Sequence, residues 1–471
     1  DPAVTFRDVT VAGIDADGDR NFLTLKSLEL QLDGSELLKL QVAFHVIRIV
    51  AAELNLHRLD DGRTNWDFAG TDAVVEGPDP LPEARDEFPV IHALVISESR
   101  IRITDDQNAA KFEFQVDVAK GQADTGAQGL QLSGKGSVQD RPLTIRLTGD
   151  SVLTLQDEDV PYHLKASVEA GDTKLNADVT LTAPFRSSEM VARFSLKGPD
   201  LAQLFPLTGI SLPNTPPYDL QGHLALAGKL LRFKTLKGQI GDSDIAGDLD
   251  VEIGGDRPTV SANLASERLD FDDLAAIIGA APDTAEGETA SKAQKQAAVK
   301  RNASEKVIPD VPIDLSRMRA IDATLQYRAR RVQADSLPID DLSAVLSLQE
   351  GVLKIQTLKL GIGSGTLEAD LTVDASRETV TTRASMKVIR LPLAKVLKTF
   401  AGDMGDAEDA VGAVGGTISL VADGNTMHDA LASANGELRL AMSEGRIGAL
   451  LIEIAGLDIA EALTVIASRD G

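Results

Sequence analysis

The sequence predicts an elongated all-β protein, built as an antiparallel sheet of stacked repeats with a few short helices. Three observations support this fold class. Apolar residues recur at every second position in many segments, one two-strand pattern is repeated along the chain, and helical periodicity is scarce. No regular strand–helix–strand alternation occurs, which argues against a doubly wound parallel sheet.

The two-residue period defines the individual strands. Each such strand has one apolar face and one polar face, because successive side chains point to opposite sides of a sheet. Turn sequences such as "EAGDT", "IGGDRP" and "DGNT" separate the alternating runs. The clearest runs contain Leu28, Leu30 and Leu32; Leu143, Ile145 and Leu147; Leu175, Ala177, Val179 and Leu181; Leu249, Val251 and Ile253; Leu367, Ala369, Leu371 and Val373; and Leu438, Leu440 and Met442.

The repeat is clearest in two segments that start 122 residues apart, at Leu231 and Leu353. The first reads "LRFKTLKGQIGDSDIAGDLDV" and the second "LKIQTLKLGIGSGTLEADLTV". Nine positions are identical, and in the first copy these are Leu231, Thr235, Leu236, Lys237, Ile240, Gly241, Asp248, Leu249 and Val251. A repeat with this pattern predicts the same strand–turn–strand unit twice.

A third copy starts at Lys174 and parallels the segment from Asp244, 70 residues later. Both copies read as strand, turn, strand and a short helix-like end, "DLAQL" at 200–204 and "DFDDL" at 270–274. Further strands are predicted at "YDLQGHLALAG" from residue 218 and at "IDATLQYRARRVQ" from residue 321.

Three breaks divide this array into six predicted segments. Residues 71–90 are acidic and contain proline, residues 280–310 are an Ala/Lys/Gln-containing insertion, and residues 401–416 are the third break. The segments are an N-terminal β segment at 1–70, the loop at 71–90, β repeats at 91–279, the insertion at 280–310, a further repeat at 311–400 and a C-terminal β segment at 401–471. The last segment includes an amphipathic helix at 447–466.

Composition excludes several classes of function. The chain carries 47 Lys and Arg against 72 Asp and Glu, a net charge of −25, so a nucleic acid is not an expected partner. There is no cysteine, which excludes disulfides, Cys-ligated zinc and thiol chemistry. No uncharged apolar run of membrane-spanning length is present. Because residue 1 is Asp and no signal sequence precedes it, we expect a signal or anchor segment to lie outside this sequence.

Three sequence patterns suggest chemistry but fit structural roles better. "DADGD" at 15–19 lacks the Gly and Glu that a calcium-binding EF-hand loop needs, so we interpret it as a hairpin turn. "GIGSGT" at 361–366 lacks the third Gly of a dinucleotide fingerprint and is interpreted as a turn. The six histidines are not spaced as metal ligands. We therefore predict no catalytic residue, no metal and no cofactor.

The two ends of the chain resemble the AsmA family. Near the N-terminus, a strand leads into Gly62-Arg63-Thr64-Asn65-Trp66, a G-x-x-N-W pattern. The next strand, "ALVISESRIRITDDQ", also fits, although Thr104 stands where the family commonly has Tyr. The C-terminal segment "GGTISLVADGNTMHDALASANGELRLAMSEGRIGALLIE" is similar to the family's closing segment. Asn65 and Trp66 are interpreted as support and filler of their turn.

The resemblance implies both a fold and a function. AsmA-like proteins are similar to TamB-type and chorein-type bridge-like lipid transfer proteins, in which a long sheet curls into a U-shaped apolar groove that conducts phospholipids. It implies a periplasmic protein held in the inner membrane of a Gram-negative bacterium by an N-terminal helix, here missing, with possible envelope protein partners. The expected function is phospholipid binding in support of lipid transport or outer-membrane biogenesis, without covalent chemistry.

Reasoning from the residues alone leaves two arrangements open. If two apolar faces packed on each other, the repeats would form a closed sandwich. If one sheet only curled, its apolar face would be an open groove, for which an acyl chain is a suitable ligand. The alternatives to lipid transport are therefore a scaffold of the cell envelope and, with less support, a carbohydrate-active β-solenoid enzyme.

The alternation identifies the residues expected to face the groove. They share an apolar side chain at the inward position of a predicted strand. The candidates are Leu28, Leu30, Leu32, Ile101, Ile103, Leu143, Ile145, Leu147, Val179, Leu181, Phe194, Leu196, Leu249, Val251, Ile253, Leu371 and Val373.

Overall fold

A computed structural model gives the fold of most of the 471 residues. It describes residues 2–13, 21–38, 42–66, 90–118, 129–156, 160–182, 189–204, 208, 212, 214–274, 289–291, 294–296, 315–334, 339–393 and 412–443. The sequence predictions for "DADGD", for the helix at 447–466 and for most of the breaks at 71–90 and 280–310 lie outside these residues.

The protein is all-β, as the sequence predicts. The described residues form 24 strands, of which 22 belong to one mixed sheet and two form a small second sheet. They contain three α-helices, α1 (Gly34–Leu37), α2 (Leu315–Arg319) and α3 (Met427–Ser433), and each spans fewer than two turns. Short 3₁₀ helices cover Val152–Gln156, Leu201–Leu204 and Phe271–Leu274.

The chain divides into two compact units. The first contains residues 1–196 and 224–228, and the second contains residues 197–223 and 229–471. Strands that lie in the first unit, apart from the end of β11, are β1 (Ala3–Ala12), β2 (Asn21–Leu32), β3 (Ala43–Arg58), β4 (Val90–Ile91), β5 (Leu94–Asp105), β6 (Ala110–Val118), β7 (Leu130–Val138), β8 (Arg141–Gly149), β9 (Tyr162–Ala170), β10 (Thr173–Leu181) and β11 (Met190–Gly198).

The remaining strands follow in the same chain order, and β12 contributes residues to both units. They are β12 (Tyr218–Ala227), β13 (Leu230–Ile240), β14 (Ser243–Glu252), β15 (Thr259–Ser266), β16 (Leu269–Asp270), β17 (Asp322–Ala329), β18 (Val332–Gln333), β19 (Asp341–Gln349), β20 (Val352–Ile362), β21 (Gly365–Asp374), β22 (Thr381–Pro392), β23 (Ala413–Asp423) and β24 (Asn435–Ser443).

Most neighbouring strands are antiparallel. In the first unit β1, β2 and β3 pair in order, and β5 to β10 do the same. In the second unit β13, β14 and β15 pair in order, β17 pairs with β19, and the antiparallel order continues to β24. Consecutive pairing of this kind needs only short connections.

The antiparallel prediction is wrong at two joints, β3 with β5 and β15 with β17, which are parallel. The short pairs β3 with β4 and β16 with β18 are parallel as well. Parallel neighbours need a long crossover connection. Two of the sequence breaks, at 71–90 and 280–310, fall within the two connections that join the long parallel strands.

The predicted repeat is confirmed strand by strand. The bounds of β13 and β14 plus 122 residues give the bounds of β20 and β21. Each copy has a register shift at the same place, between Phe233 and Leu236 in β13 and between Ile355 and Leu358 in β20. The helix-like ends predicted at 201 and 271 are both 3₁₀ helices, 70 residues apart.

The third break is shorter than the sequence predicts. Residues 413–416 of "AGDMGDAEDAVGAVGG" already belong to β23 and pair with β24. Their Ala-Val-Gly-Gly sequence has little side-chain contrast between the two faces, so the two-residue period is not visible there.

Candidate functional site: the apolar face of the sheet

The strand registers bring the predicted groove residues of the first unit onto one face. Leu28 lies opposite Phe6 and Ile49, and Ile101 lies opposite Leu54 and Phe114. Residues directly opposite each other in a sheet share a face. The same face continues through Leu132, Leu147, Ala166 and Ala177, and it includes the predicted Ile103, Leu143, Ile145, Val179 and Leu181.

The second unit has an equivalent apolar face. Val251 lies opposite Leu231 and Val260, and Leu371 lies opposite Ile355 and Ala384. Between these strands the face continues through Leu325 and Leu346. Two further predicted residues, Phe194 and Leu196, lie in β11, which belongs to the 22-stranded sheet. Ile253 lies just beyond the end of β14.

The predicted residues are incompletely covered. Leu143, Val179 and Val251 are buried, with 6%, 7% and 3% of their surface exposed, and Ile253 is 37% exposed. The other predicted residues have intermediate exposure. In the part of the chain that the structure describes, the only other sheet is the pair β16 and β18, so no second sheet of similar size covers the apolar face. An apolar surface this extended is uncommon on a monomer and is typical of interaction sites.

Two phenylalanines shape the face in the first unit. Phe112 and Phe114 on β6 stack with ring centroids 5.9 Å apart. They lie opposite Gly136 and Gly134 on β7, and a Cβ added at Gly134 would lie 2.3 Å from the Phe114 ring. The rings therefore fill the space that the glycines leave, a known way to stabilise glycines within a sheet.

A row of left-handed residues interrupts the alternation near the N-terminus. Asp8, Ala51 and Glu98 have φ values of 51°, 51° and 53°. In β5, the residues before Glu98 that face the apolar side are even-numbered, such as Ile96. The residues after Glu98 that face it are odd-numbered, such as Ile101. Sequence reasoning missed this change, because Ala51 and Glu98, unlike Asp8, are not residue types enriched at positive φ.

One end of the face in the second unit is covered. Leu269, Ala329 and Leu342 form a buried cluster, and Phe271, Leu274 and Leu360 pack against it. The 3₁₀ helix Phe271–Leu274 thus covers the apolar ends of the neighbouring strands. The hydroxyl groups of Ser266 and Tyr327 are 2.7 Å apart at this end, and burial raises the pKa of Tyr327.

The covered end also contains a buried carboxylate. Asp273 Oδ2 accepts hydrogen bonds from the backbone N–H groups of Asp242 and Ser243 and from Ser243 Oγ, at 3.0, 2.9 and 2.5 Å. Asp273 is 7% exposed, and burial raises its pKa to about 6. It fixes the turn at Gly241, which has φ 63° and no room for a Cβ beside the carboxylate.

The opposite face of the sheet is polar and carries ion pairs. Glu53 and Glu113 contact Arg100 and Arg102 across three strands, at N–O distances of 3.2–3.6 Å. Lys359 contacts Glu368 at 2.9 Å and lowers the pKa of that carboxyl group. The sheet thus has one charged face and one apolar face in each unit.

The turn interpretations agree with the structure. Gly363 has φ 60° and lies between β20 and β21, so "GIGSGT" spans a turn, as predicted. Asn65 is 3% exposed, and its side chain accepts from the His57 N–H and donates to the Asn55 carbonyl, both at 2.9 Å. It therefore holds the end of β3, and Trp66 beside it is partly buried. Among the described residues, no cluster of three or more His, Asp or Glu is arranged to hold a metal ion.

The structure adds apolar-face residues that the sequence list omitted. They show the same alternation, but of this group only Ile47 and Leu54 lie on a strand that contains Ala51 or Glu98. They include Ile47, Leu54, Phe112, Phe114, Val116, Leu325, Leu346, Ile355 and Leu358.

These features define a β-sheet protein that exposes one apolar face of its sheet in each unit. The chain belongs to the AsmA family, because the AsmA family model matches residues 1–144 and 89–469. This confirms the resemblance seen in the sequence motifs. Family membership supports a function in the envelope of Gram-negative bacteria, and the family description names no enzyme activity.

A curated relative is similar along most of the chain. It is AsmA family protein YhjG of Escherichia coli (strain K12), with 27% identity over 458 residues. The match covers 92% of this chain and 66% of the relative, so the chain spans just under two thirds of that protein. No solved structure matches the chain. None of the described helices is long and apolar enough to cross a membrane.

Proposed function

We propose that this protein binds phospholipid acyl chains on the apolar face of its sheet and supports lipid transport or outer-membrane biogenesis. In this proposal it works in the periplasm, attached to the inner membrane by a segment outside the present sequence, and it performs no covalent chemistry. The observation that carries the proposal is the row of partly exposed apolar residues that the strand registers align within each unit.

The chemistry of this face fits an acyl chain. Burial of each methylene group contributes about 0.8 kcal/mol, without a hydrogen-bond partner or a fixed direction. The described apolar face offers Leu, Ile, Val, Ala and Phe side chains, while the ion pairs lie on the other face. A ligand held only by apolar contacts can move along such a surface, as lipid transport requires.

Native mass spectrometry of detergent-free protein, followed by lipid extraction, is the direct test. Several co-purifying phospholipids per chain are expected. A lipid-free mass would contradict the proposal and favour the envelope-scaffold alternative.

Matched charge substitutions test which face binds the lipid. Ala166→Asp places a carboxylate on the apolar face between Leu147 and Ala177, whereas Ser167→Asp places one on the polar face opposite Arg146. In the second unit, Ala369→Asp and Thr372→Asp form the same comparison, with Thr372 between Lys354 and Arg383. We expect the two alanine variants to lose at least half of their bound lipid and the two control variants to keep it.

These alanines are better test positions than the buried Val251. A charge at Val251, which is 3% exposed, would destabilise the fold itself. Ala166 and Ala369 are only partly buried, so their variants are expected to fold. Equal lipid loss in the alanine and control variants would contradict the assignment of the face.

A further inference from the structure

Among the residues that the structure describes, β24 is an edge strand of the sheet in the second unit. Within the described residues it pairs with β23 alone. Its residues 435–441 are exposed, including Leu438 at 42% and Leu440 at 50%. An exposed edge with apolar side chains readily pairs with another strand, and native proteins usually protect such edges.

The sequence of β24, "NGELRLAMS", is self-complementary about Leu438. Glu437 and Arg439 flank it on the polar face, where their side chains contact each other at 2.8 Å. Leu438 itself lies on the apolar face, opposite Ile418. An antiparallel copy centred on Leu438 would place Glu437 of each chain opposite Arg439 of the other.

We propose that β24 pairs antiparallel with β24 of a second copy of this chain, about a two-fold axis through Leu438. Opposite charges facing each other across two strands stabilise the pair, and like charges destabilise it. Each copy uses the same surface, which is the interface type of a closed, symmetric dimer.

Other registers are excluded by charge or by face. Centring the pair on Glu437 or Arg439 would place that charged residue opposite itself. Centring it between two residues would place apolar side chains opposite polar ones, because a one-residue slip exchanges the faces. Centring it on Leu440 would keep the faces but would place Glu437 opposite Ser443 and Arg439 opposite Ala441, so near the middle of the strand only the Leu438 register pairs Glu437 with Arg439.

The small residues of β24 fit the same register. Gly436 would lie opposite Leu440 of the second copy, and the structure already contains such Gly–Leu pairs, Leu420 with Gly436 and Gly416 with Leu440. Residues opposite each other share a face, so the two copies would present their apolar faces on the same side. The dimer does not depend on lipid, and its tests are made on delipidated protein.

Site-specific cross-linking tests the register. Because the chain has no cysteine, Leu438→Cys introduces a single thiol. A short bismaleimide is expected to link two copies of this variant into a dimer on a denaturing gel. Ser419→Cys, on β23 and away from the edge, is the matched control and should give no dimer.

Charge reversal tests the recognition. Glu437→Arg or Arg439→Glu alone should raise the dimer dissociation constant about fivefold or more, and the double exchange should restore it. Both residues are exposed, so the variants are expected to fold, and circular dichroism checks this. Sedimentation over the micromolar range measures the constants.

Three outcomes would overturn the proposal. They are a monomer throughout the micromolar range in sedimentation, failure of the double exchange to restore the dimer, and equal cross-linking of the Leu438→Cys variant and the Ser419→Cys control.

Discussion

At the scale of single residues, the covered end of the second unit depends on a buried carboxylate. Asp273 accepts two backbone N–H bonds and one hydroxyl bond, yet burial outweighs them and raises its pKa to about 6. The folded protein therefore binds a proton at Asp273 at pH values where the unfolded chain has lost it. This residue links the turn at Gly241 to the pH of its surroundings.

The sign of the pH effect follows from that raised pKa. Asp273 stabilises the fold most below about pH 4, and this contribution falls as the pH rises to about 6. Asp273→Asn keeps an acceptor oxygen without the charge, so the variant should not lose stability between pH 4 and pH 6. Its unfolding free energy at pH 7 should be higher by on the order of 1 kcal/mol. Urea unfolding between pH 4 and pH 7 measures the effect.

A matched aspartate provides the control for this measurement. Hydrogen bonds from the Ser376 hydroxyl and backbone lower the pKa of Asp374, whose carboxyl group is exposed. Its contribution to stability is therefore lost as the pH falls, so Asp374→Asn should not reproduce the gain at pH 7. Equal pH profiles for the Asp273 variant and the unsubstituted protein would contradict the role given to Asp273.

At the scale of strands, the repeated hairpins have the same bounds and register shift but differ in backbone conformation at Gly247 and Ala369. Gly247 in β14 has φ 147°, and a Cβ there would lie 2.1 Å from the Asn263 carbonyl oxygen. The equivalent position in β21, 122 residues later, is Ala369, so the second copy accommodates a Cβ. The two copies therefore differ within the hairpin itself, because Ala369 does not have a positive φ.

Reciprocal substitutions should show this difference. Gly247→Ala is expected to destabilise the β13–β14 hairpin by about 1–3 kcal/mol, because a non-glycine residue must adopt a strained conformation. Ala369→Gly should cost only about 0.5–1 kcal/mol, the usual entropic cost of glycine in a strand. Amide hydrogen exchange measured separately in the two hairpins distinguishes the effects, and equal changes would show that the Asn263 contact is unimportant.

The sequence predicted individual strands and the repeated hairpins, but not the parallel pairings. The two-residue period located strands such as β2, β8 and β14, and the identical letters of the repeat located matching hairpins. The parallel joints at β5 and β17 were not predictable, since alternation is the same in parallel and antiparallel strands. The left-handed residues Ala51 and Glu98 were missed because neither residue type favours positive φ.

At the scale of the whole molecule, the sequence predicted which residues of the candidate site alternate along each strand, but not which of them lie side by side across the sheet. Alternation identified apolar residues such as Leu371, but only the registers show which of them are opposite each other. The composition is informative here too, since the net charge of −25 acts over the whole chain. Such a charge repels anionic membrane surfaces and is screened by salt.

The proposed lipid uptake should therefore depend on salt in a predictable way. Uptake from anionic vesicles is expected to accelerate several-fold between low salt and about 0.15 M, where the screening length falls to about 8 Å. Uptake from zwitterionic vesicles should change little over the same range. A fluorescent lipid transfer assay measures both rates, and a decrease with salt for anionic vesicles would indicate a basic docking patch instead.

The two parallel joints have a consequence for how the chain reaches its fold. Strands β5 to β10 and β17 to β24 pair mostly with their neighbours in sequence, and contacts of this kind form early because little chain entropy is lost in closing them. Joining β3 to β5 and β15 to β17 requires closing much longer loops. A partly folded chain would expose unpaired strand edges at these two joints, and a chaperone would have most to protect there.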